Sequence, residues 1–411
     1  MIARSERGSF IFVHMQFKNV IGQPLIKQKL TEMVAQNRLS HALLFLASEG
    51  SGGLPLALAF AQFIVCEKVN TLQNVSQNLF GDFGDDSSQI RTDACGVCPA
   101  CQKAQQLIHP DIHFSYPVIP KKSGDKPLSI DYISEWREFV SQYPYGNIYD
   151  WLQFIDAENK QGNITAYECN DITRKLSLKS FESGYKILIM WMPEYLGNEG
   201  NKLLKLIEEP PPNTLFIMVA ENETMILPTI ISRTQLIKIP SLDQKDIEQA
   251  LIERANVPAE QARRVALVSQ ENYREALQIL QHSDEDWQSL LREWLNATLK
   301  TGPIAQVRWV EEISKLGREK QKQFLHYFNH LLEQAIRVRT MGDDSLNVSD
   351  NEKDFADRLN KIADIAQQAA IIEALDNAIY YIERNANAKM LFHALTIKLY
   401  HIVAEKTVVV Q

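Results

Sequence analysis

Apolar runs and helix-spaced apolar positions divide this chain into two parts. Residues 41–46 and 186–192 are mostly apolar runs typical of buried strands, and residues 56–65 predict an apolar helix just after the first run. From residue 284 onward, apolar side chains recur every three and four residues, as in 287–295 and 324–332. A charged stretch near residue 345 then precedes two further predicted helices. The pattern predicts strands alternating with helices in the first part and a wholly helical second part.

A glycine-rich turn joins the first predicted strand to the first apolar helix. Strand, turn and helix together form the frame of a phosphate-binding loop, G-x-x-x-x-G-K-[ST]. In that alignment Ala47 replaces the first glycine, Gly53 replaces the lysine and Leu54 replaces the hydroxyl residue. The loop has therefore lost its phosphate-neutralising and magnesium-binding groups, although backbone amides at a helix start can still hold an anion. The alternative is a glycine-rich turn unrelated to nucleotides. The degenerate loop comprises Gly50, Ser51, Gly52, Gly53 and Leu54.

The second apolar run lacks the acidic pair that a nucleotide-hydrolysing site needs at this point. The run ends in Trp191-Met192-Pro193-Glu194, so no aspartate can organise magnesium and Glu194 is a lone candidate in an uncertain register. Two separate motifs have thus lost their chemistry, which argues against ATP hydrolysis.

Four of the five cysteines have the spacing of a metal site. Two C-x2-C steps predict a tight knuckle of three thiolates, and one more cysteine lies before a polar insertion. Four thiolates close a tetrahedral zinc site with no open position, which is a structural site. The alternatives are reduced thiols without metal, His109 or His113 as the fourth ligand, and an iron–sulfur cluster. Cys169 is predicted to be a buried thiol. The predicted zinc ligands are Cys66, Cys95, Cys98 and Cys101.

Composition and charge narrow the class of protein. The chain has 411 residues, a formal charge of −8 and a pI of about 5.7, so no global basic field would recruit nucleic acid. Any DNA contact must be local or shared with partners.

Residues 1–15 look like a loosely attached leader. No apolar run is long enough to cross a membrane, so a cytoplasmic location is expected.

Several motifs resemble the bacterial clamp-loader members of the AAA+ family. The chain has F-x-x-V-I-G-Q at 17–23, R-L-x-H-A at 38–42 and H-P-D at 109–111. The longest match is N-x-L-L-K-x-x-E-E-P-P at 201–211, which we interpret as an amphipathic helix stopped by prolines and followed by a buried strand. Ser232-Arg233-Thr234 resembles the family's S-R-C motif, with threonine replacing the cysteine. For His109, Asp111 and His113 the alternatives are a metal cluster and a proline-directed turn into a strand, and the turn explains them better.

The resemblance implies a fold and a domain order. We expect a RecA-like parallel sheet with flanking helices over 1–240, including a zinc knuckle at 66–101, then a helical lid at 241–283 and an all-α collar at 284–411. Two insertions, 67–94 and 115–161, depart from the family pattern. The second is rich in aromatic residues, which are expected to fold it onto the core rather than to bind a partner. Arg274 lies near the position of the lid's nucleotide-sensing arginine, or forms a structural salt bridge.

The resemblance also implies a function. Arg233 would reach across a subunit interface to the γ-phosphate held by a neighbour, and the alternative is a salt bridge within its own domain. The implied protein completes the loader ring without hydrolysing ATP. Its implied partners are the γ/τ and δ subunits and, through the assembled complex, the sliding clamp and primer-template DNA. Two other functions stay open: an active loader ATPase of the γ/τ kind, and a zinc-containing AAA+-like adaptor outside replication.

Overall fold

The computed structural model describes residues 16–70, 91–122, 124–157, 160–281, 287–341, 350–383 and 386–405. The predicted leader, most of the first insertion and most of the charged stretch near residue 345 lie outside these residues. Tertiary contacts divide the chain into a first unit that ends at Ala276 and a second that begins at Leu277. The division falls inside the predicted lid, so residues 241–276 of the lid belong to the first unit.

The first unit is built on a parallel sheet of five strands in the order β2-β3-β4-β1-β5. The two strands that carry the predicted motifs, β1 and β3, lie where the apolar runs place them. All residues of β3 and β4 are buried, as expected for a sheet covered on both faces. The predicted RecA-like fold is confirmed. The strands are β1 (Ala42–Ala47), β2 (Ile112–Ser115), β3 (Lys186–Trp191), β4 (Thr214–Ala220) and β5 (Gln235–Ile239).

Eleven α-helices that the structure describes along their whole length begin in the first unit. The second of them is buried along its whole length, because it carries apolar residues on all sides beside the sheet. The helices are α1 (Pro24–Ala35), α2 (Gly53–Val65), α3 (Pro99–Gln105), α4 (Ile133–Gln142), α5 (Ile148–Phe154), α6 (Ala166–Ser177), α7 (Leu204–Glu208), α8 (Pro228–Ile231), α9 (Gln244–Ala255), α10 (Ala259–Val268) and α11 (Tyr273–Gln281).

The helix predicted across 201–208 is confirmed over Leu204–Glu208, whereas residues 201–203 belong to a 3-10 helix. The chain forms a 3-10 helix over Pro193–Leu203, interrupted at Gly197, and only Leu204–Glu208 is α-helical. Glycine and asparagine are poor helix formers, and they are frequent between residues 197 and 201. The predicted stop at the prolines and the buried strand after them are confirmed.

The second insertion folds onto the sheet through its aromatic residues, as predicted. Trp136, Phe139 and Trp151 are fully buried. The Trp136 ring stacks on Tyr116 at 4.0 Å between centroids and meets Trp151 edge to face at 5.4 Å. Aromatic pairs of this kind add to the stabilisation that comes from burial.

The described residues of the second unit are helical. Their core contains the apolar positions identified in the sequence, including Leu291, Trp294, Phe324 and Phe328. Three helices follow residue 349, not the predicted two, because reciprocal hydrogen bonds between Asp364 and Gln367 begin a new helix there. None of the described helices is long and apolar enough to cross a bilayer. The helices are α12 (Trp287–Asn296), α13 (Pro303–Ile313), α14 (Arg318–Met341), α15 (Asp350–Ile362), α16 (Ile365–Glu383) and α17 (Ala388–Ala404).

Candidate functional site

The degenerate loop lies at the carboxyl end of β1, where β4 and β5 flank that strand on its two sides. This is the position at which α/β sheets bind ligands. Gly50 and Gly52 adopt φ angles of 70° and 92°, a left-handed conformation that favours glycine. Residues 50–53 are all buried. Protein atoms therefore cover the loop.

Side chains from distant parts of the first unit provide that cover. A Cβ atom added at Gly50 would overlap Asn272 Oδ1, and one added at Gly52 would lie 2.9 Å from Tyr145 Cε1. The cavity left beside the loop measures about 20 Å³. That volume holds about one water molecule, whereas small-molecule pockets measure roughly 300–1,000 Å³. The loop has no room for a nucleotide in this conformation.

Gly53 is required by packing. It starts α2 against β1 and β4, and an added Cβ would lie 2.6 Å from Ala47 Cβ and 3.1 Å from Val219 Cγ1. A lysine at the family's phosphate-binding position would therefore collide with the sheet. None of the described residues that line the remaining cavity is basic, and Glu221 adds an acidic group.

The end of β3 is apolar and is covered by the second insertion. Trp191 lies 5.3 Å from the Trp136 ring and 5.9 Å from the Phe139 ring. Glu194 turns to the end of β4, where its Oε1 accepts the N–H groups of Glu221 at 2.6 Å and Asn222 at 2.8 Å. Burial raises the pKa of the Glu194 carboxyl. The Glu194 carboxyl therefore orders the backbone turn after β4, and this structural role accounts for a glutamate here without a bound metal.

Arg233 follows α8 and precedes the amino end of β5, whereas the loop follows the carboxyl end of the neighbouring β1. Its Nε donates to Glu208 Oε1 at 2.6 Å and its Nη1 donates to the Thr229 carbonyl at 2.9 Å. The salt bridge within the same domain, one of the two alternatives, is thus observed in the isolated chain. About a third of the Arg233 side chain, 32%, stays exposed.

Register fixes how far Arg233 is from its own loop. Gln235 pairs with Leu43 and Ile239 pairs with Ala47, at the two ends of neighbouring strands. Four residue steps of about 3.3 Å separate these pairs, or roughly 13 Å. Arg233 precedes the first pair and the loop follows the second, so this guanidinium cannot reach the loop of its own chain.

Arg274 lies beside the loop and forms the structural salt bridge that was the second alternative for it. It is 3% exposed. Its Nε and Nη2 donate to the two oxygens of Asp150 at 2.5 and 2.7 Å, and its Nη1 donates to Glu49 Oε1 at 2.9 Å. Sequence reasoning missed Asp150, as it missed Tyr145 and Asn272. All three are far from the loop in sequence.

The four predicted metal ligands come together. The Sγ atoms of Cys66, Cys95, Cys98 and Cys101 all lie within 4.8 Å of one another. Cys95 Sγ and Cys101 Sγ are 3.9 Å apart, and tetrahedral zinc with bonds of about 2.3 Å needs about 3.8 Å. The set is all sulfur and largely buried, so it fits structural zinc.

Local structure and hydrogen bonds position these thiols. Cys66 follows the last residue of α2 and Cys98 precedes the first residue of α3. The Cys95 N–H donates to Cys66 Sγ and the Cys98 N–H donates to Cys95 Sγ, both at 3.4 Å. A hydrogen bond from Cys101 lowers the pKa of Cys66 to about 4, and the same bond raises the pKa of Cys101. The described part of the chain places Cys66, not a histidine, beside the knuckle.

The H-P-D motif has a structural role. Asp111 accepts the backbone N–H groups of Phe181, Glu182 and Ser183 at 2.5, 2.9 and 2.7 Å. Burial raises the pKa of the Asp111 carboxyl, but these N–H donors outweigh it and hold the pKa below its ordinary value. The motif therefore orders the loop before β3. Cys169 is a buried thiol, as predicted, and burial raises its pKa to about 11.

Comparison with known proteins agrees with the sheet and its motifs. Residues 22–243, more than half of the chain, match the family described as DNA polymerase III, delta subunit. The chain is similar to DNA polymerase III subunit delta′ of Bacillus subtilis, with 26% identity over 264 residues, which cover 64% of this chain and 60% of that protein. It is 25% identical to the tau subunit of the same organism over 337 residues, which cover 79% of this chain and 47% of tau. The delta′ subunit of Escherichia coli is 24% identical over 313 residues, 75% of this chain and 74% of that protein. The chain spans about half the length of the first relatives, from 41% to 60%.

Proposed function

We propose, from the premise that this chain belongs to the DNA polymerase III delta-subunit family of clamp-loader proteins, that it is the δ′ subunit of a bacterial clamp loader. In this role it joins the γ/τ and δ subunits in the loader ring and hydrolyses no ATP itself. Its Arg233 contacts the ATP that a neighbouring γ/τ subunit binds. The assembled loader then opens the sliding clamp on primer-template DNA. The observation that carries the proposal is a contrast between two sites. The loop after β1 is covered by protein side chains, whereas Arg233, before the amino end of β5, is partly exposed.

The filled loop supports a subunit without ATPase activity. Phosphoryl transfer depends on a cation that neutralises the phosphates and on a bound magnesium ion. Gly53 stands at the position of the lysine and Leu54 at that of the magnesium-binding hydroxyl residue, and both are buried. The end of β3 is likewise apolar and packs Trp191 against Trp136. The active γ/τ-type ATPase needs both groups, so the geometry favours the δ′ role over that alternative.

The position of Arg233 supports a role in a neighbouring subunit. Its salt bridge to Glu208 is solvent-exposed on both sides, and exposed ion pairs contribute only about 0–1 kcal/mol. The guanidinium can leave Glu208 at little cost and present its donors to a phosphate. Delocalised charge and a forked set of N–H groups suit arginine to that contact.

Zinc at the four cysteines would be structural in this proposal. Four thiolates leave no open position for substrate, and the site ties the end of α2 to the start of α3. The same site would suit a zinc-containing adaptor, but membership in the DNA polymerase III family favours replication over that alternative.

Reconstitution tests the proposed function. The full chain is mixed with γ/τ and δ subunits from the same organism, and we expect one complex that loads the clamp onto primed DNA. The chain alone should show neither ATP binding nor turnover. A loader that assembles and loads clamps equally well without this chain would contradict the proposal.

A further inference from the structure

We propose that the second insertion itself fills the pocket of the loop and, without any nucleotide, fixes the lid segment, residues 241–276, on the sheet. Tyr145 and Asp150 are its positioning residues; on the lid, Tyr273 contacts Tyr145 and Arg274 binds Asp150. The inference rests on the proposed function only in treating the loop as a nucleotide-type site. The contacts themselves lie within the first unit.

Tyr145 fills the space above the loop. Its ring lies on Gly52, and its hydroxyl oxygen accepts the N–H of Ile21 at 2.9 Å. On the other side it meets Tyr273 edge to face, with 5.0 Å between ring centroids. Tyr145 is 5% exposed and Tyr273 is 1% exposed. One side chain of the insertion thus touches the loop, the segment before α1 and the lid.

Asp150 supplies the charged contact. It shares the buried Arg274 guanidinium with Glu49, which directly precedes the loop. A forked pair between arginine and carboxylate is strong and directional, and a buried arginine that loses one partner is costly. The ion pairs therefore join insertion, lid and loop at one point.

The start of α5 holds Asp150 in place. Asn147 caps this helix, and it exchanges hydrogen bonds with Asp150 at 3.0 and 3.1 Å. Asn147 Nδ2 also donates to Glu49 Oε2 at 3.0 Å. A helix cap ordered in this way pre-organises the carboxylate for Arg274.

Asn272 is the lid residue that contacts the loop directly. Its side chain lies on Gly50, and its Nδ2 donates to Glu49 Oε1 at 3.4 Å. Its Oδ1 accepts the Glu275 N–H at 3.1 Å near the start of α11. The lid is thereby attached to both turn glycines, directly at Gly50 and through Tyr145 at Gly52. Because this attachment needs no ligand, the lid holds one position whether or not ATP is present.

We call the contacts of Tyr145 and Asp150 with the loop and the lid the latch. Hydrogen exchange of the full-length chain tests it. We compare the wild type with Tyr145→Ala and Asp150→Asn, and follow backbone amides in 48–56 and 269–276. Both variants should speed exchange in these two segments by roughly tenfold or more, because local opening no longer breaks the shared contacts. Exchange in the wild type should be the same with and without Mg-ATP.

Matched controls separate a latch from general stabilisation. Glu138→Gln removes an exposed carboxylate from α4 of the same insertion, away from the loop, and should leave both segments unchanged. Asp150→Glu keeps the charge and should restore part of the protection. Unchanged exchange in both test variants would overturn the latch, as would equal acceleration throughout the five-stranded sheet. Since the readout is on the isolated chain, a failure of loader assembly would not imitate either result.

Discussion

Replacing Gly53 by alanine tests the claim that packing excludes a side chain from the start of α2. The residue has no left-handed φ angle, so backbone strain plays no part. The added methyl would lie 2.6 Å from Ala47 Cβ and 3.1 Å from Val219 Cγ1. Both neighbours belong to sheet strands, and the nearer atom, Ala47 Cβ, is fixed by its backbone, so the helix or the sheet must shift.

The expected cost follows from these two contacts. Overpacking a close-packed site costs about 1–3 kcal/mol, and exchanging glycine for alanine in a helix returns at most about 1 kcal/mol. The free energy of unfolding of the first unit should therefore fall by roughly 1–2 kcal/mol. For a unit of this size the melting temperature should drop by roughly 2–8 °C.

Calorimetry of the full-length chain measures this change. Gly184→Ala is the matched control, because no atom lies within 4 Å of a Cβ added there and its φ is not left-handed. The control should keep the wild-type melting temperature. If Gly53→Ala melted with the control, the packing argument would be refuted. The same contact predicts that Gly53→Lys does not create ATP binding, and saturable binding by that variant would contradict it.

Other predictions concern the four-cysteine cluster, the H-P-D loop and the salt bridge between Arg233 and Glu208. Cys98→Ser should abolish the single zinc per chain and Cys169→Ser should retain it, by elemental analysis; zinc retained in both would exclude the proposed ligand set. Asp111→Asn should cost about 1–3 kcal/mol near neutral pH by denaturant unfolding, because three N–H donors lose their charged acceptor. The wild-type pKa is lowered, so its advantage is present above the ordinary carboxyl pKa and is lost as the pH falls through the folded value; a deficit that is constant with pH would contradict this. Glu208→Gln, like its neighbour Glu209→Gln, should keep the ATPase rate of the reconstituted complex within about twofold, since an exposed pair contributes little; a loss in Glu208→Gln alone would show that this pair is needed.

Local patterns in the sequence were sufficient for several elements and for the four-cysteine cluster. The apolar runs placed β1 and β3, and the helical spacing placed the core of the second unit, since burial imposes those periods on any sequence. The cysteine spacing likewise predicted the four-thiol cluster, although the return of Cys66 to the knuckle needed a loop closure that spacing alone leaves open.

The cover of the loop could not be predicted. Arg274 meets Glu49 across 225 residues and Asp150 across 124 residues, and no local period encodes such a contact. The sequence indicated only that an aromatic insertion was present and that it folds onto the core. Its contacts depend on where the folded sheet places Tyr145, which composition does not determine. The 3-10 helix at Pro193–Leu203 was missed for a related reason, because the apolar spacing of 201–207 outweighed the poor helix formers before it.

The ATPase rate of the reconstituted loader tests the central claim most directly. Complexes that contain the wild type, Arg233→Ala or Arg233→Lys are compared with clamp and primed DNA present, after gel filtration has shown equal assembly. Arg233→Ala should slow hydrolysis at the γ/τ site beside this subunit by about 10³-fold or more. Lysine should not restore it, since an ammonium group lacks the fork of donors. Wild-type turnover in a fully assembled Arg233→Ala complex would contradict the role of this subunit as the donor of a catalytic arginine.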